Sequence, residues 1–160
     1  MNRYYIFDLD HTIVDSSHRA ATRPDGSLDL DHWREFSTPA MIERDTLLPL
    51  AHEWRKIQRR GEAKIIVCTA RVMGIADYRY LTSRGLFADK VISRRDGDST
   101  ADDLLKLRGL KAYCVANGIS WRKLCKTAVM FDDNKNVLKT LQANGLPCYD
   151  AISLNEQLGA

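Results

Sequence analysis

Five short apolar runs alternate with amphipathic segments along the chain, and this alternation constrains the fold more than any other feature. The runs lie at 4–7, 64–69, 90–93, 127–131 and 147–149. The segments between them predict a helix from Thr46 that ends at Gly61, and helices over 76–84, 101–116 and 134–144. Strands that alternate with helices form βαβ units, in which helices cover both faces of a mostly parallel sheet. We therefore expect an α/β fold that binds its ligand beyond the carboxyl ends of the strands.

Two acidic residues follow the first apolar run. Asp8 and Asp10 stand at positions i and i+2 of an extended backbone, so their side chains should face the same point. Neighbouring carboxylates repel each other unless they share a cation or divide the roles of nucleophile and acid. The alternative is an acidic turn at a strand end, because Asp favours turns.

A second pair of acids, Asp132 and Asp133, ends the fourth run. Adjacent carboxylates at the end of a buried strand repel each other without a cation, and Mg²⁺ prefers hard oxygen ligands of this kind. The pair predicts a metal site. We expect these acids to gather with Asp8 around one divalent ion.

The second run ends in Thr69, Ala70 and Arg71. A hydroxyl and free backbone amides at a strand-to-helix turn suit a phosphate oxygen, although Thr69 could instead cap the next helix. The guanidinium of Arg71 offers paired donors to a phosphate, although Arg71 could equally be a surface residue.

These motifs resemble those of the haloacid-dehalogenase (HAD) superfamily of phosphatases. Asp8-x-Asp10-x-Thr12 is similar to the first motif, Thr69 to the second, and Asp132-Asp133 to the fourth. The segment from 94 to 106, Arg-x-x-Gly-Asp-x-x-x-Asp-Asp-x-x-Lys, resembles the part of the phage polynucleotide kinase 3′-phosphatase domains that carries the third-motif lysine. This resemblance favours Lys106 as that lysine, with Arg108 and Lys111 as competitors. The implied fold is a HAD-like Rossmannoid parallel sheet with a minimal cap insertion.

The resemblance also implies roles for the residues that match the motifs. Asp8 would attack phosphorus and form an aspartyl-phosphate, while Asp10 would protonate the leaving oxygen and then activate water. Thr69 and Lys106 would neutralise the phosphoryl oxygens. Mg²⁺ would be bound by Asp8, the backbone carbonyl of Asp10, Asp132 and, directly or through water, Asp133. The residues expected to contact substrate are Thr12, Ala70, Arg71, Arg94 and Arg34.

Two features depart from the superfamily pattern. His11 occupies a position where Gly is usual, and it could alter the turn or add a side chain to the site. Residues 15–45 match no motif of the superfamily; they contain a turn at 24–27 and two aromatic residues, Trp33 and Phe36. About thirty residues are too few for a full cap domain, so we expect one domain over 1–160 with a small cap at about 15–45. An open cleft suits a large substrate.

Three functions follow from these features. The first is a Mg²⁺-dependent phosphatase that removes 3′-phosphates from polynucleotide ends. The second is the same chemistry on nucleoside monophosphates held by Trp33, Phe36 or Arg34. The third is a catalytically inactive binding module, which is disfavoured because every catalytic position is filled.

Composition excludes several other classes. With 28% charged and 44% apolar residues, the 160-residue chain has the composition of a globular protein. Its net charge of +3 is a weak bias, and its pairs of basic residues would form a nucleic-acid footprint only if the fold gathered them on one side. Four cysteines without a C-x-x-C pair argue against zinc and disulfides. The sequence shows no signal-peptide core, membrane-spanning run or kinase P-loop, so we expect a cytoplasmic enzyme with no implied protein partner.

Overall fold

The computed structural model describes residues 2–160, and its centre is a five-stranded parallel sheet. The seven strands are β1 (Tyr4–Phe7), β2 (Val14–Asp15), β3 (Thr46–Leu47), β4 (Lys64–Cys68), β5 (Lys90–Ile92), β6 (Ala128–Asp132) and β7 (Cys148–Asp150). The sheet has the order β5-β4-β1-β6-β7, with every neighbouring pair parallel, and β2 pairs antiparallel with β3 in a separate ribbon. From β1 the chain runs outward through β4 to β5 and then crosses back to β6 on the other side of β1, so the carboxyl ends of β1 and β6 form the switch point at which parallel sheets bind ligands.

Residues 2–160 form eight α-helices. They are α1 (Leu30–Phe36), α2 (Pro39–Ile42), α3 (Leu50–Arg60), α4 (Ile75–Ser83), α5 (Asp102–Ala116), α6 (Trp121–Thr127), α7 (Lys135–Ala143) and α8 (Ala151–Gly159). A 3₁₀ turn at Ser17–Arg19 precedes α1.

Side chains that alternate along β1 divide the core into two layers. Phe7 packs into the layer that contains Trp54 of α3, and its ring stacks at 5.4 Å on Trp54 and at 5.1 Å on Phe131. Ile6 faces the other layer, where it joins Leu110 of α5. Because both faces of the sheet are covered, its strands are nearly continuous apolar runs, as the sequence predicted.

The structure corrects the prediction for the residues around Thr46. Thr46 and Leu47 pair with Val14–Asp15 instead of beginning a helix, and α3 begins only at Leu50, after Pro49. Proline lacks an N–H and is tolerated only near a helix start, so it fixes the boundary. Gly61 ends the helix as predicted, with a φ of 68°.

Four helices were not predicted from the sequence. α1 and α2 lie within 15–45, α6 has seven residues, and α8 ends the chain. Helices this short carry little periodic signal. The N-caps are nevertheless readable for α6, where the Ser120 hydroxyl accepts from the Lys123 N–H, and for α8, which the Asp150 carboxylate caps.

The four cysteines are free thiols, and three of them are buried. No helix within residues 2–160 combines the length and the apolar character needed to cross a membrane.

Candidate active site

Asp8 lies at the carboxyl end of β1, next to a buried lysine from α5. The ammonium Nζ of Lys106 donates to Asp8 Oδ1 at 2.9 Å and to Asp132 Oδ2 at 2.6 Å. Thr12 also contacts Asp8, because its hydroxyl donates to Asp8 Oδ2 at 3.1 Å. Lys106 is 3% exposed, so this contact lies almost entirely away from water. The structure therefore brings the two acidic strand ends together, as the sequence predicted.

Three carboxylates form an acidic cluster at this edge. Oxygen atoms of Asp8, Asp132 and Asp133 lie within 4.8 Å of one another. Burial, and then the charge of Asp8, raises the pKa of Asp132 and of Asp133 above the ordinary range. Burial opposes the charge of Lys106, but the nearby Asp8 and Asp132 raise its pKa. One lysine cannot neutralise three acids, so the oxygen donors and excess negative charge fit a hard cation such as Mg²⁺.

Asp10 points away from this cluster into an ion pair with Arg71. Arg71 Nε donates to Asp10 Oδ2 at 2.8 Å and Nη2 donates to Oδ1 at 2.6 Å, while the Ser16 hydroxyl donates to the same Oδ1 at 2.6 Å. Burial alone would raise the pKa of Asp10, but the Arg71 guanidinium holds it below the ordinary value. Both oxygens of Asp10 therefore accept hydrogen bonds from its neighbours.

Arg71 is therefore not a surface residue, and its guanidinium donors are already bonded to the protein instead of being free for a phosphate. It is 8% exposed, and besides Asp10 it donates to Asp77 at 2.8 Å and to Asp45 at 3.4 Å. The adjacent Thr69 hydroxyl accepts from the Arg71 N–H at 3.1 Å and closes the turn after β4. The possibility that Thr69 caps the next helix is wrong, because α4 begins beyond it with Gly74 at the N-cap.

A buried ionic network extends from Arg71 into the 15–45 insertion. Arg19 is 1% exposed and donates to both oxygens of Asp45 at 2.9 Å, and His18 contacts Asp45 at 2.8 Å. Sequence reasoning missed Arg19 and Asp45. They are single charged residues without a local pattern, so no signal in the sequence could have paired them.

Arg94, expected to bind substrate, is fully engaged with the protein. Its guanidinium donates to the carbonyls of Ala70, Asp98 and Thr100 at 2.7–2.9 Å and to the Asp102 carboxylate at 2.8 Å. These bonds join the turn after β4 to the first residue of α5. Arg94 thus fixes the helix that carries the site lysine instead of facing the acidic cluster.

The other basic candidates lie elsewhere. Arg34 is on the exposed side of α1, where its side chain is 75% exposed and 3.9 Å from Asp31. Arg108 pairs with Asp98 at 2.7 Å, and Lys111 lies over the ring of Trp121. Within residues 2–160, no salt bridge joins any of these three to the acidic cluster. Of the three candidates for the third motif, Lys106 is the one in the cluster.

His11 adopts the left-handed backbone conformation that explains the usual glycine. Its φ is 62°, and its N–H donates to the Val14 carbonyl at 2.8 Å in the turn that follows Asp10. A β-branched residue is strained in this region by about 1–2 kcal/mol, whereas Gly is not.

We expect H11V to lower the free energy of unfolding by about 1–2 kcal/mol. H11G should leave it unchanged or slightly higher, because relief of the left-handed strain offsets the larger entropy of Gly in the unfolded chain. Urea unfolding midpoints measure both effects. An H11G loss as large as that of H11V would show that the imidazole, rather than the backbone angle, matters at this position.

The site consists of acids at the central carboxyl edge of a parallel sheet, a buried lysine beside them and an insertion after the first motif, which is the arrangement expected of a HAD-like phosphatase. The chain belongs to the family described as bacteriophage T5 5′-deoxynucleotidase, whose model matches residues 1–105. A 5′-deoxynucleotidase of Escherichia phage T5 is 33% identical over 180 aligned residues, which cover 99% of this chain and 70% of that protein.

Solved structures share the fold at lower identity. A chain of the Pnkp1/Rnl/Hen1 RNA repair complex aligns with a TM-score of 0.65 and 18% identity over 94% of this chain. This chain spans only 42% of that one. A haloacid dehalogenase-like hydrolase from Streptococcus pneumoniae aligns with a TM-score of 0.67 and 13% identity over 97% of this chain and 91% of that one. The matches confirm the predicted HAD-like fold.

Proposed function

We propose that this phosphatase hydrolyses deoxynucleoside 5′-monophosphates. The observation that carries the proposal is the match, over 99% of this chain, to a protein described as a 5′-deoxynucleotidase. The insertion also supports a small substrate, because its ionic network with Arg71 holds it beside Asp10. This reverses the order of preference drawn from the sequence, in which polynucleotide 3′ ends came first.

In the proposed first step, Asp8 attacks phosphorus. A bond forms between its carboxylate oxygen and phosphorus while the bond from phosphorus to the nucleoside oxygen breaks. Lys106 and Thr12, which already donate to Asp8, hold its carboxylate in place, and Lys106 offsets the charge of the phosphoryl oxygens. Thr69 lies at the neighbouring strand end and is proposed to contact a phosphoryl oxygen.

Asp10 is proposed to move the protons. It gives one to the departing nucleoside oxygen and then takes one from the water that attacks phosphorus and frees Asp8. The ion pair with Arg71 suits the second role, since it keeps Asp10 ionised. For the first role Asp10 must bind a proton, so its ion pair with Arg71 must weaken. The phosphate oxygens of the substrate could cause this, because they are competing acceptors for the Arg71 N–H groups.

The acidic cluster is proposed to hold Mg²⁺ through Asp8, Asp132, Asp133 and the backbone carbonyl of Asp10. When bound, the ion supplies positive charge that offsets the negative charge of the carboxylates and the phosphoryl group.

We expect Mg²⁺ to raise the thermal unfolding midpoint by about 5–10 °C over the chelator-treated protein, because a ligand at 100 times its Kd stabilises the folded state by about 2.7 kcal/mol. D132N should lose most of this rise. Asp89 offers a matched control, because its carboxylate accepts from the Ile65 N–H near the start of β4, at the opposite edge of the sheet. A rise that persists in D132N and disappears in D89N would place the ion elsewhere.

A substrate panel tests the proposed function. We expect phosphate release from deoxynucleoside 5′-monophosphates to exceed release from oligonucleotides with a 3′- or 5′-phosphate. Greater activity on the 3′-phosphorylated oligonucleotide would support the second candidate, which the resemblance of segment 94–106 favours. No release from these substrates or from an aryl phosphate would leave only a binding module.

A further inference from the structure

Trp33 of α1 lies against the ionic network beside Asp10. The guanidinium carbon of Arg19 is 4.2 Å from the centroid of its ring, and that of Arg71 is 5.9 Å away. Both guanidinium groups donate to the same oxygen, Asp45 Oδ2, so they lie next to each other against the indole. A guanidinium over an indole face is a favourable contact, and here it fixes the position of the ring.

The backbone of Trp33 is held by the same arginine. Arg19 Nη1 donates to the Ser37 hydroxyl at 2.8 Å, and that hydroxyl donates to the carbonyl oxygen of Trp33. The Asp29 carboxylate caps the start of α1 by accepting from the His32 N–H at 3.1 Å. The indole is thus fixed before any ligand arrives, which lowers the entropy lost on binding. Trp33 is only half-buried, so part of the residue remains exposed.

Trp33 also lies on the side of the site from which the nucleoside would leave. In the proposed reaction Asp10 protonates the nucleoside oxygen, so the nucleoside must stand on the Asp10 side of the phosphate. Arg71 is paired with Asp10 and lies close to the Trp33 ring. The ring is therefore on the same side of the acidic cluster as Asp10. The other aromatic of α1, Phe36, instead stacks on His32 at 4.3 Å.

We infer that Trp33 is the surface on which the nucleobase of the substrate stacks. The inference rests on the proposed function and adds the residue that distinguishes a nucleotide from other phosphoesters. Every base has a π-face, so stacking on an indole tolerates purines and pyrimidines alike.

The test compares kcat/KM for deoxyadenosine 5′-monophosphate with kcat/KM for 2-deoxyribose 5-phosphate, which has the same phosphoester but no base. We expect the ratio of the two to fall roughly 10- to 100-fold in W33L, chiefly through KM for the nucleotide. W33F should recover much of the ratio, since it restores a stacking ring. Trp121 offers the matched control, because it is also half-buried and lies under a cation, 5.5 Å from Lys111 Nζ, but belongs to α6. W121L should keep the wild-type ratio.

Equal losses on both substrates in W33L would overturn the inference and assign Trp33 a structural role in supporting the arginines. An unchanged ratio in W33L would overturn it as well. Failure of the proposed function looks different: the wild-type protein itself would release no phosphate from the nucleotide while acting on another phosphoester. Thermal unfolding of W33L and W121L shows whether either variant has lost its fold.

Discussion

D8N is expected to lose phosphate release by at least about 10⁴-fold, because an amide cannot form the acyl-phosphate and the removal of a covalent nucleophile has costs of this size. The fold should survive the change. The amide side chain keeps the shape of the carboxylate and can still accept a hydrogen bond from Lys106, while one negative charge leaves an acid-rich cluster. Single-turnover release of phosphate from a deoxynucleoside 5′-monophosphate measures the effect, and the thermal midpoint confirms the fold.

The control for this experiment is D89N, the same change at the opposite edge of the sheet, which should retain activity. Phosphate release by D8N within tenfold of the wild-type rate would contradict the proposed nucleophile. It would leave the fold and the family membership unaffected.

The second large effect is expected for K106M, which should lower kcat by at least about 10²- to 10³-fold. The ammonium is positioned to offset charge on the phosphoryl oxygens, and loss of one such donor has costs of this order. Stability should fall too, by about 3–5 kcal/mol, because the variant leaves buried carboxylates on Asp8 and Asp132 without their cation. Kinetics and urea unfolding measure the two losses separately.

K111M is the matched control, since Lys111 lies further along α5 and contacts the ring of Trp121 instead of an acid. We expect it to keep both activity and stability. Excess Mg²⁺ should restore part of the stability of K106M, since it supplies positive charge to the same carboxylates, but it should not restore kcat. If kcat recovered fully, the lysine would serve only to neutralise the acids.

The acidic edge could be predicted from the sequence because its signals are local. A run such as Tyr4–Phe7 marks a buried strand, and the acids after it must lie at the carboxyl end of that strand. Parallel pairing then brings Asp8 and Asp132 to one edge without further information. Lys106 has no such local signal, since a lysine on a helix is normally solvated, and its identification depended on the resemblance of the whole 94–106 segment.

The hydrogen-bond partners of the arginines could not be predicted in this way. Arg71 and Arg94 were both expected to face phosphate, and each is instead engaged with carboxylates or carbonyls of the protein. Which acceptor an arginine finds depends on residues distant in the chain, such as Asp45, whose partner Arg19 is 26 residues away. The insertion matches no motif of the superfamily, yet it supplies Arg19, Asp45 and Trp33.

By itself, therefore, the sequence determined the order of the five sheet strands, the four helices predicted between them and the acids at the strand ends. These follow from hydrophobic periodicity and from spacings of a few residues, which act within one element. Only the tertiary structure decided that Arg71 clamps Asp10, that Arg94 anchors α5 and that Trp33 covers the arginines. These contacts form because buried charged groups must be neutralised. Each one pairs with an oppositely charged group that the completed fold places next to it.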